Sequence, residues 1–116
     1  MFNQIRTSKE NKEIVSRLTN KLGLGAENVI ARIAIGFSIS KKKKLDINKV
    51  KDSSGKTYSY KILLGEYDRL YIALICQLYK IHQSDPDLPK YLKLHLDDGL
   101  EILAKKDFVS VSQIFI

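Results

Sequence analysis

The sequence predicts a mainly α-helical fold: a single domain over residues 1–116, built as a compact bundle of about four helices. A basic loop follows the second helix, and minor β segments are expected near 57–64 and 108–116. Three observations carry this reading. A length of 116 residues is one domain's worth of chain. Hydrophobic residues make up 44% of it, enough for a core, and in four separate stretches they recur at intervals of three and four. Punctuation falls between those stretches, at Gly23, Gly25, Gly65 and Pro86.

The first helix is set by Thr7-Ser8-Lys9-Glu10, which has the spacing of a capping box. Ile14, Val15, Leu18 and Leu22 follow at helical intervals, and Gly23 or Gly25 stops the element, giving a helix over 8–22. Its polar side carries Lys9, Lys12, Arg17 and Lys21, the last placed to complement the helix dipole. A second helix over 26–40 carries Val29, Ile30, Ile33, Ala34 and Phe37. Two helices joined by a short glycine turn have the outline of a helix-turn-helix, but the second offers base edges only Asn28, Arg32 and a few serines. Apolar residues cover most of its circumference, which marks a buried helix rather than one that reads a groove.

Residues 57–64, Thr-Tyr-Ser-Tyr-Lys-Ile-Leu-Leu, are β-prone and partly alternating. Gly65 then introduces a third helix, Glu66 to His82, whose stripe of Tyr67, Leu70, Tyr71, Leu74, Ile75 and Leu78 is expected to face the core, with Cys76 beside it as a small buried residue. Ser84-Asp85-Pro86-Asp87-Leu88-Pro89 breaks that helix and starts a fourth, since proline suits a first turn and acidic residues suit an amino-terminal end. The fourth helix runs to about Lys105 and buries Leu88, Leu92, Leu96, Leu100 and Leu103. Phe108 to Ile116 is apolar and β-branched, a strand that needs cover from another subunit.

Charge is uneven. Twenty Lys and Arg against thirteen Asp and Glu give a net +7, which suits a polyanion. Residues 41–61 alone carry eight lysines against two aspartates, a net +6. That segment opens with Lys41, Lys42, Lys43 and Lys44 and continues through Lys49, Lys51, Lys56 and Lys61, with a turn at Asp52-Ser53-Ser54-Gly55. Four consecutive like charges repel unless a partner relieves them, and this run lies between structured segments rather than on a free end. Lysine is a compact, mobile point charge suited to phosphate oxygens. The arginine fork that reads guanine edges is scarce, with four in the chain. The expectation is therefore binding to the nucleic-acid backbone with little base readout.

Signals for catalysis are weak. Gly23-Leu24-Gly25 lacks the third glycine of a dinucleotide loop, and the chain lacks the strand and helix alternation such loops need. Asp97 and Asp98 are adjacent on a helix and face different ways, so they do not make a two-metal centre. His82 and His95 are each alone in sequence and read as surface or capping residues, and Cys76 has no adjacent base. No catalytic residue, metal site or cofactor is expected. A single cysteine suits a reducing compartment, the order of Met1 to Arg6 lacks a secretory pattern, and no apolar stretch approaches a bilayer's thickness. A cytoplasmic protein with no membrane contact is expected.

Several segments together resemble the DndE family, the small subunit of the bacterial DNA phosphorothioation (sulfur modification) system. They are Ile5-Arg6-Thr7-Ser8, Leu22-Gly23-Leu24, Asn28-Val29-Ile30-Ala31-Arg32-Ile33-Ala34, Leu64-Gly65-Glu66-Tyr67-Asp68, Leu94-His95-Leu96 and Gly99-Leu100. The resemblance spans nearly the whole chain, with one departure at Asp98, where the family often has arginine. It implies a helical homotetramer that binds double-stranded DNA, with a preference for nicked duplex, beside a cysteine desulfurase and other modification subunits that perform the sulfur chemistry. In that setting Lys41, Lys42, Lys43 and Lys44 are the first candidate DNA contacts, and Lys49, Lys51, Lys56, Arg17 and Lys21 flank them. A structural adaptor that docks other modification subunits without touching DNA is the alternative.

Overall fold

The computed structural model describes residues 4–106, so the expected strand over 108–116 lies outside the described residues. The elements run β1 (Gln4–Arg6), α1 (Lys9–Lys21), α2 (Glu27–Ser40), a 3-10 turn (Ile47–Lys49), β2 (Thr57–Ser59), α3 (Tyr60–Leu64), a second 3-10 turn (Gly65–Tyr67), α4 (Asp68–Tyr79) and α5 (Leu88–Lys105). Four long helices and a two-stranded ribbon thus give the mainly α architecture that the periodicity predicts.

Helix α1 begins one residue later than the capping-box spacing implies. Ser8 is the N-cap, and its Oγ accepts from the Asn11 backbone N–H at 3.2 Å. Glu10 does not return the bond. The Ser8 N–H instead donates to Asp97 Oδ1 of α5 at 3.1 Å, so a carboxylate from across the fold completes the cap. Thr7 turns the other way, accepting from the Lys56 N–H at 2.8 Å beside the β1–β2 ribbon, in which Ile5 pairs with Tyr58 in antiparallel register. After α1 the chain reverses through Gly23, at φ +64°, and the Leu24 N–H closes on the Thr19 carbonyl at 3.0 Å.

The principal packing is α2 against α5. Gly99 faces Ala34, and a Cβ at 99 would collide with the Ala34 carbonyl, so the two backbones approach as closely as their atoms allow. Around that crossing Ile30, Ile35, Leu92, Leu96, Leu100 and Leu103 are fully buried. All five leucines expected of α5 lie in the core.

Two expectations need correction. Only Thr57–Ser59 of the β-prone stretch is a strand. Ser59 then caps α3, its Oγ accepting from the Ile62 N–H at 3.2 Å, because Leu63 and Leu64 are both buried and a strand would send one of two neighbours to solvent. The wide stripe assigned to the third helix is also wider than its packed side. Ile72 and Ile75 are buried in α4, whereas Tyr67 and Leu70 are 48% and 55% exposed and Cys76 is only half-buried. The helix stops at Tyr79, three residues before the expected end. Lys80 takes φ +55° and ψ +49°, and its N–H closes on the Cys76 carbonyl.

Two glycine substitutions test the α2–α5 contact. Gly99→Ala should lose about 3 kcal/mol or more, since backbone rather than a side chain must move. Gly36→Ala, in α2, meets only the edge of Tyr71, at 3.6 Å, and should be neutral or gain roughly 0.5 kcal/mol from helix propensity. Denaturant titration of the two variants measures both.

Candidate nucleic-acid interface

The lysine run begins where α2 ends. A helix carboxyl end carries partial negative charge on its last carbonyls, so it tolerates cations, and Lys41 is the C-cap. Its N–H donates to the Ser38 carbonyl at 3.2 Å, and the Lys42 N–H donates to the Ile39 carbonyl at 2.9 Å. Lys42 has φ +55°, an unusual conformation for a residue with a side chain, and it turns the chain off the helix axis. Three residues on, the Leu45 N–H donates to the Tyr79 hydroxyl at 2.9 Å. Asp46 then starts the 3-10 turn by accepting from the Asn48 N–H at 2.9 Å. The segment is therefore pinned at both ends.

All four side chains, Lys41 to Lys44, are exposed. Among the described residues no carboxylate pairs with Lys42, Lys43 or Lys44. The Lys41 Nζ lies 4.7 Å from the centre of the Phe37 ring, and Lys106, past the end of α5, lies 5.8 Å from the same ring. Lys106 is a cation that sequence spacing could not place here, because only the tertiary fold brings the end of α5 back to Phe37. Phe37 and Lys41, four apart, were a readable pair.

The flanking candidates are differently placed. Lys51 is ion-paired to Glu101, a hydrogen bond that raises the lysine pKa, and Lys56 lies 3.5 Å from Glu27. Lys49 is exposed, and with Lys51 it borders a hollow whose other walls include Asp46, Asp98 and Glu101. Arg17, on α1, borders a second hollow with Glu10, Glu13 and Glu101, and Lys21 is exposed in the last turn of that helix. Of these candidates Lys51 and Lys56 have their charge paired, whereas Lys42, Lys43 and Lys44 have no carboxylate partner among the described residues. Downstream, Asp52 accepts from the Lys9 N–H at 2.9 Å and the Ser54 N–H at 3.1 Å, which hold its carboxyl below the usual range and fasten the loop to the start of α1. Arg32 donates to the Leu63 and Ile62 carbonyls at 2.8 and 3.1 Å, closing the end of α3.

His95 corrects the sequence expectation. It is fully buried, between Ser38 Oγ at 2.8 Å from Nδ1 and the Tyr79 hydroxyl at 2.7 Å from Nε2, and burial lowers its pKa to about 4. Its position follows from the α2–α5 crossing: His95 and Gly99 are one turn apart on α5, opposite Ala34 and Ser38, one turn apart on α2. His82 is exposed, as expected, with Nδ1 2.7 Å from Ser84 Oγ. Asp97 and Asp98 do diverge. Asp97 is buried against Lys93 at 2.8 Å, and Asp98 accepts from Ser38 Oγ at 2.7 Å. Desolvation raises the Cys76 thiol pKa, with Asp85 adding to it, which leaves a poor nucleophile. Among the described residues no three His, Cys, Asp or Glu side chains converge to hold a metal, and no helix is long and apolar enough to cross a membrane.

Solved structures supply the fold class. The crystal structure of DndE from Escherichia coli B7A, involved in DNA phosphorothioation modification, superposes with a TM-score of 0.71 at 21% identity. It covers 89% of this chain and 98% of its own. A DndE mutant with two glycines changed to lysine gives a TM-score of 0.70 at the same identity and coverage. At that identity the likeness is one of fold. Among curated proteins no sequence matches the chain. The model of the DndE family, described as DNA sulphur modification protein DndE, matches residues 4–110, and the chain belongs to that family, which is involved in DNA phosphorothioation.

The buried imidazole has a measurable consequence. Its pKa is near 6.5 in the unfolded chain and about 4 in the folded one, so the unfolded state binds more protons between those values. The stability tied to neutral His95 is complete above pH 6.5 and is lost as pH falls toward 4, by up to about 3 kcal/mol. Denaturant titrations at a series of pH values should show this slope in the wild type and a shallower one in His95→Gln.

Proposed function

We propose that this chain is a DNA-binding, non-catalytic subunit of the phosphorothioation machinery that grips the sugar-phosphate backbone of duplex DNA through Lys41, Lys42, Lys43 and Lys44. The observation that carries this is the pinned segment itself. It offers consecutive exposed ammonium groups, three of which have no carboxylate partner among the described residues, on a stretch of backbone tied to a helix end and to Tyr79. Lys49, Arg17 and Lys21 are the further contacts in this reading. Lys51 and Lys56 contribute only by leaving Glu101 and Glu27, which makes them the weaker contacts. Assembly as a homotetramer would multiply the basic segment fourfold into a surface wide enough for a duplex. Nicked DNA is the preferred form, because a broken strand bends onto such a surface at lower elastic cost. The sulfur chemistry falls to partner subunits, in the cytoplasm, where the DNA lies.

The adaptor reading has one observation in its favour: Ile62, Tyr67 and Leu70 are 61%, 48% and 55% exposed on α3, the turn after it and α4, a set of apolar side chains that another modification subunit could cover. DNA binding separates the two readings. In a gel shift with nicked and intact duplex, replacing Lys41 through Lys44 with Glu should abolish retention while circular dichroism and sedimentation stay unchanged; retained binding by that variant would make the run a solubilising element only, and a wild type that retains no DNA would leave the adaptor. With the wild type, neutralising about six to eight phosphates per complex predicts that log K falls against log salt with a slope of roughly −5 to −7. A flat salt dependence would end the proposal, and equal affinity for the two duplexes would remove the nick preference.

A further inference from the structure

The buried polar atoms around His95 form one directed chain. The Leu45 N–H can only donate, so the Tyr79 hydroxyl accepts from it at 2.9 Å and gives its own proton to His95 Nε2 at 2.7 Å. The ring proton then lies on Nδ1 and points to Ser38 Oγ at 2.8 Å, and the Ser38 hydroxyl donates to Asp98 Oδ2 at 2.7 Å. Each group has one role, and every proton has an acceptor. The other tautomer would make the Tyr79 oxygen accept twice and leave its own proton without a destination. It would also turn the Ser38 proton away from the carboxylate. Burial raises the Tyr79 pKa and lowers that of His95, so both stay neutral, as this direction requires.

Two members of this chain of bonds, Ser38 and Tyr79, also hold the lysine segment. The Ser38 carbonyl holds the Lys41 N–H, and the Tyr79 hydroxyl holds the Leu45 N–H. Resting on the reading that Lys41 to Lys44 bind DNA, we infer that Tyr79 and His95 are positioning residues for that contact: the Asp98–Ser38–His95–Tyr79 hydrogen-bond chain fixes the far end of the lysine segment and so sets where its ammonium groups meet the phosphates. A segment already held in its bound shape loses less freedom on binding than a free loop of the same charge. Neither residue touches DNA. The Tyr79 ring is itself held, stacked on Tyr91 with centres 4.1 Å apart, so its hydroxyl has a defined position.

Tyr79→Phe in the full chain tests this, because it keeps the ring and its stacking and removes only the hydroxyl. Amide hydrogen exchange at Leu45 should speed up at least tenfold, while amides in the core of α2 and α5 keep their protection. Affinity for nicked duplex should fall by roughly five- to tenfold at every salt concentration. The salt slope should stay that of the wild type, since all the cations remain. Tyr91→Phe, which removes the neighbouring hydroxyl, should change neither reading. Exchange at Leu45 that stays slow in Tyr79→Phe, or faster exchange with unaltered affinity, overturns the inference. The Lys41 to Lys44 charge-reversal variant, run in the same assay, separates the two claims. If that variant binds as the wild type does, the lysine reading itself is wrong and the inference falls with it. If it loses binding while Tyr79→Phe does not, only the positioning role fails.

Discussion

The close approach of α2 and α5 is the constraint on which the other features rest. It depends on Gly99 having no side chain where the Ala34 carbonyl arrives. One turn along each helix, the same proximity brings Ser38 within hydrogen-bonding reach of His95 and Asp98. One turn further, α2 ends and the lysines begin. Leucines on the α5 stripe fill the core on either side, so apolar burial supplies the driving force and the small-residue contact sets the register. A helix pair one ångström further apart would keep most of that burial and lose the polar alignment.

A second network fastens the start of the chain to α5. Lys93 and Asp97 are both buried and lie 2.8 Å apart, an arrangement that is costly unless the remaining donors and acceptors find partners. Here they do. The Lys93 Nζ also donates to the Arg6 carbonyl at 2.8 Å, and Asp97 Oδ1 accepts from the Ser8 N–H and, at 2.8 Å, from Asn11 Nδ2. One ion pair thereby closes the ribbon, caps α1 and anchors α5.

The four long helices were legible because their signals are local: leucines at α5 spacing, a cap near Ser8 and glycines at the α1–α2 turn all act within a few residues. The lysine run was legible as composition. What the sequence hid depends on distant partners. Leu63 and Leu64 look β-compatible until both are buried together, and Tyr67 and Leu70 fit a core stripe until α4 lies down on its other side. His95 reads as an isolated polar residue because Ser38 and Tyr79 are 57 and 16 positions away. The charges of Lys51 and Lys56 read as available because Glu101 and Glu27 are far off in sequence. Spacing along a chain reports faces of helices, and it is silent on which faces meet.

The basic segment is bounded by backbone ties at Lys41 and Lys42 on one side and at Leu45 on the other, with Lys43 and Lys44 strung between them. The course of such a bridge is specified by its length. Side chains in the span can be exchanged without disturbing either abutment, whereas one residue inserted or removed would force a tie to break or Lys42 to abandon its left-handed turn. Among related chains the span should therefore resist insertion and deletion, the reverse of how surface loops ordinarily diverge.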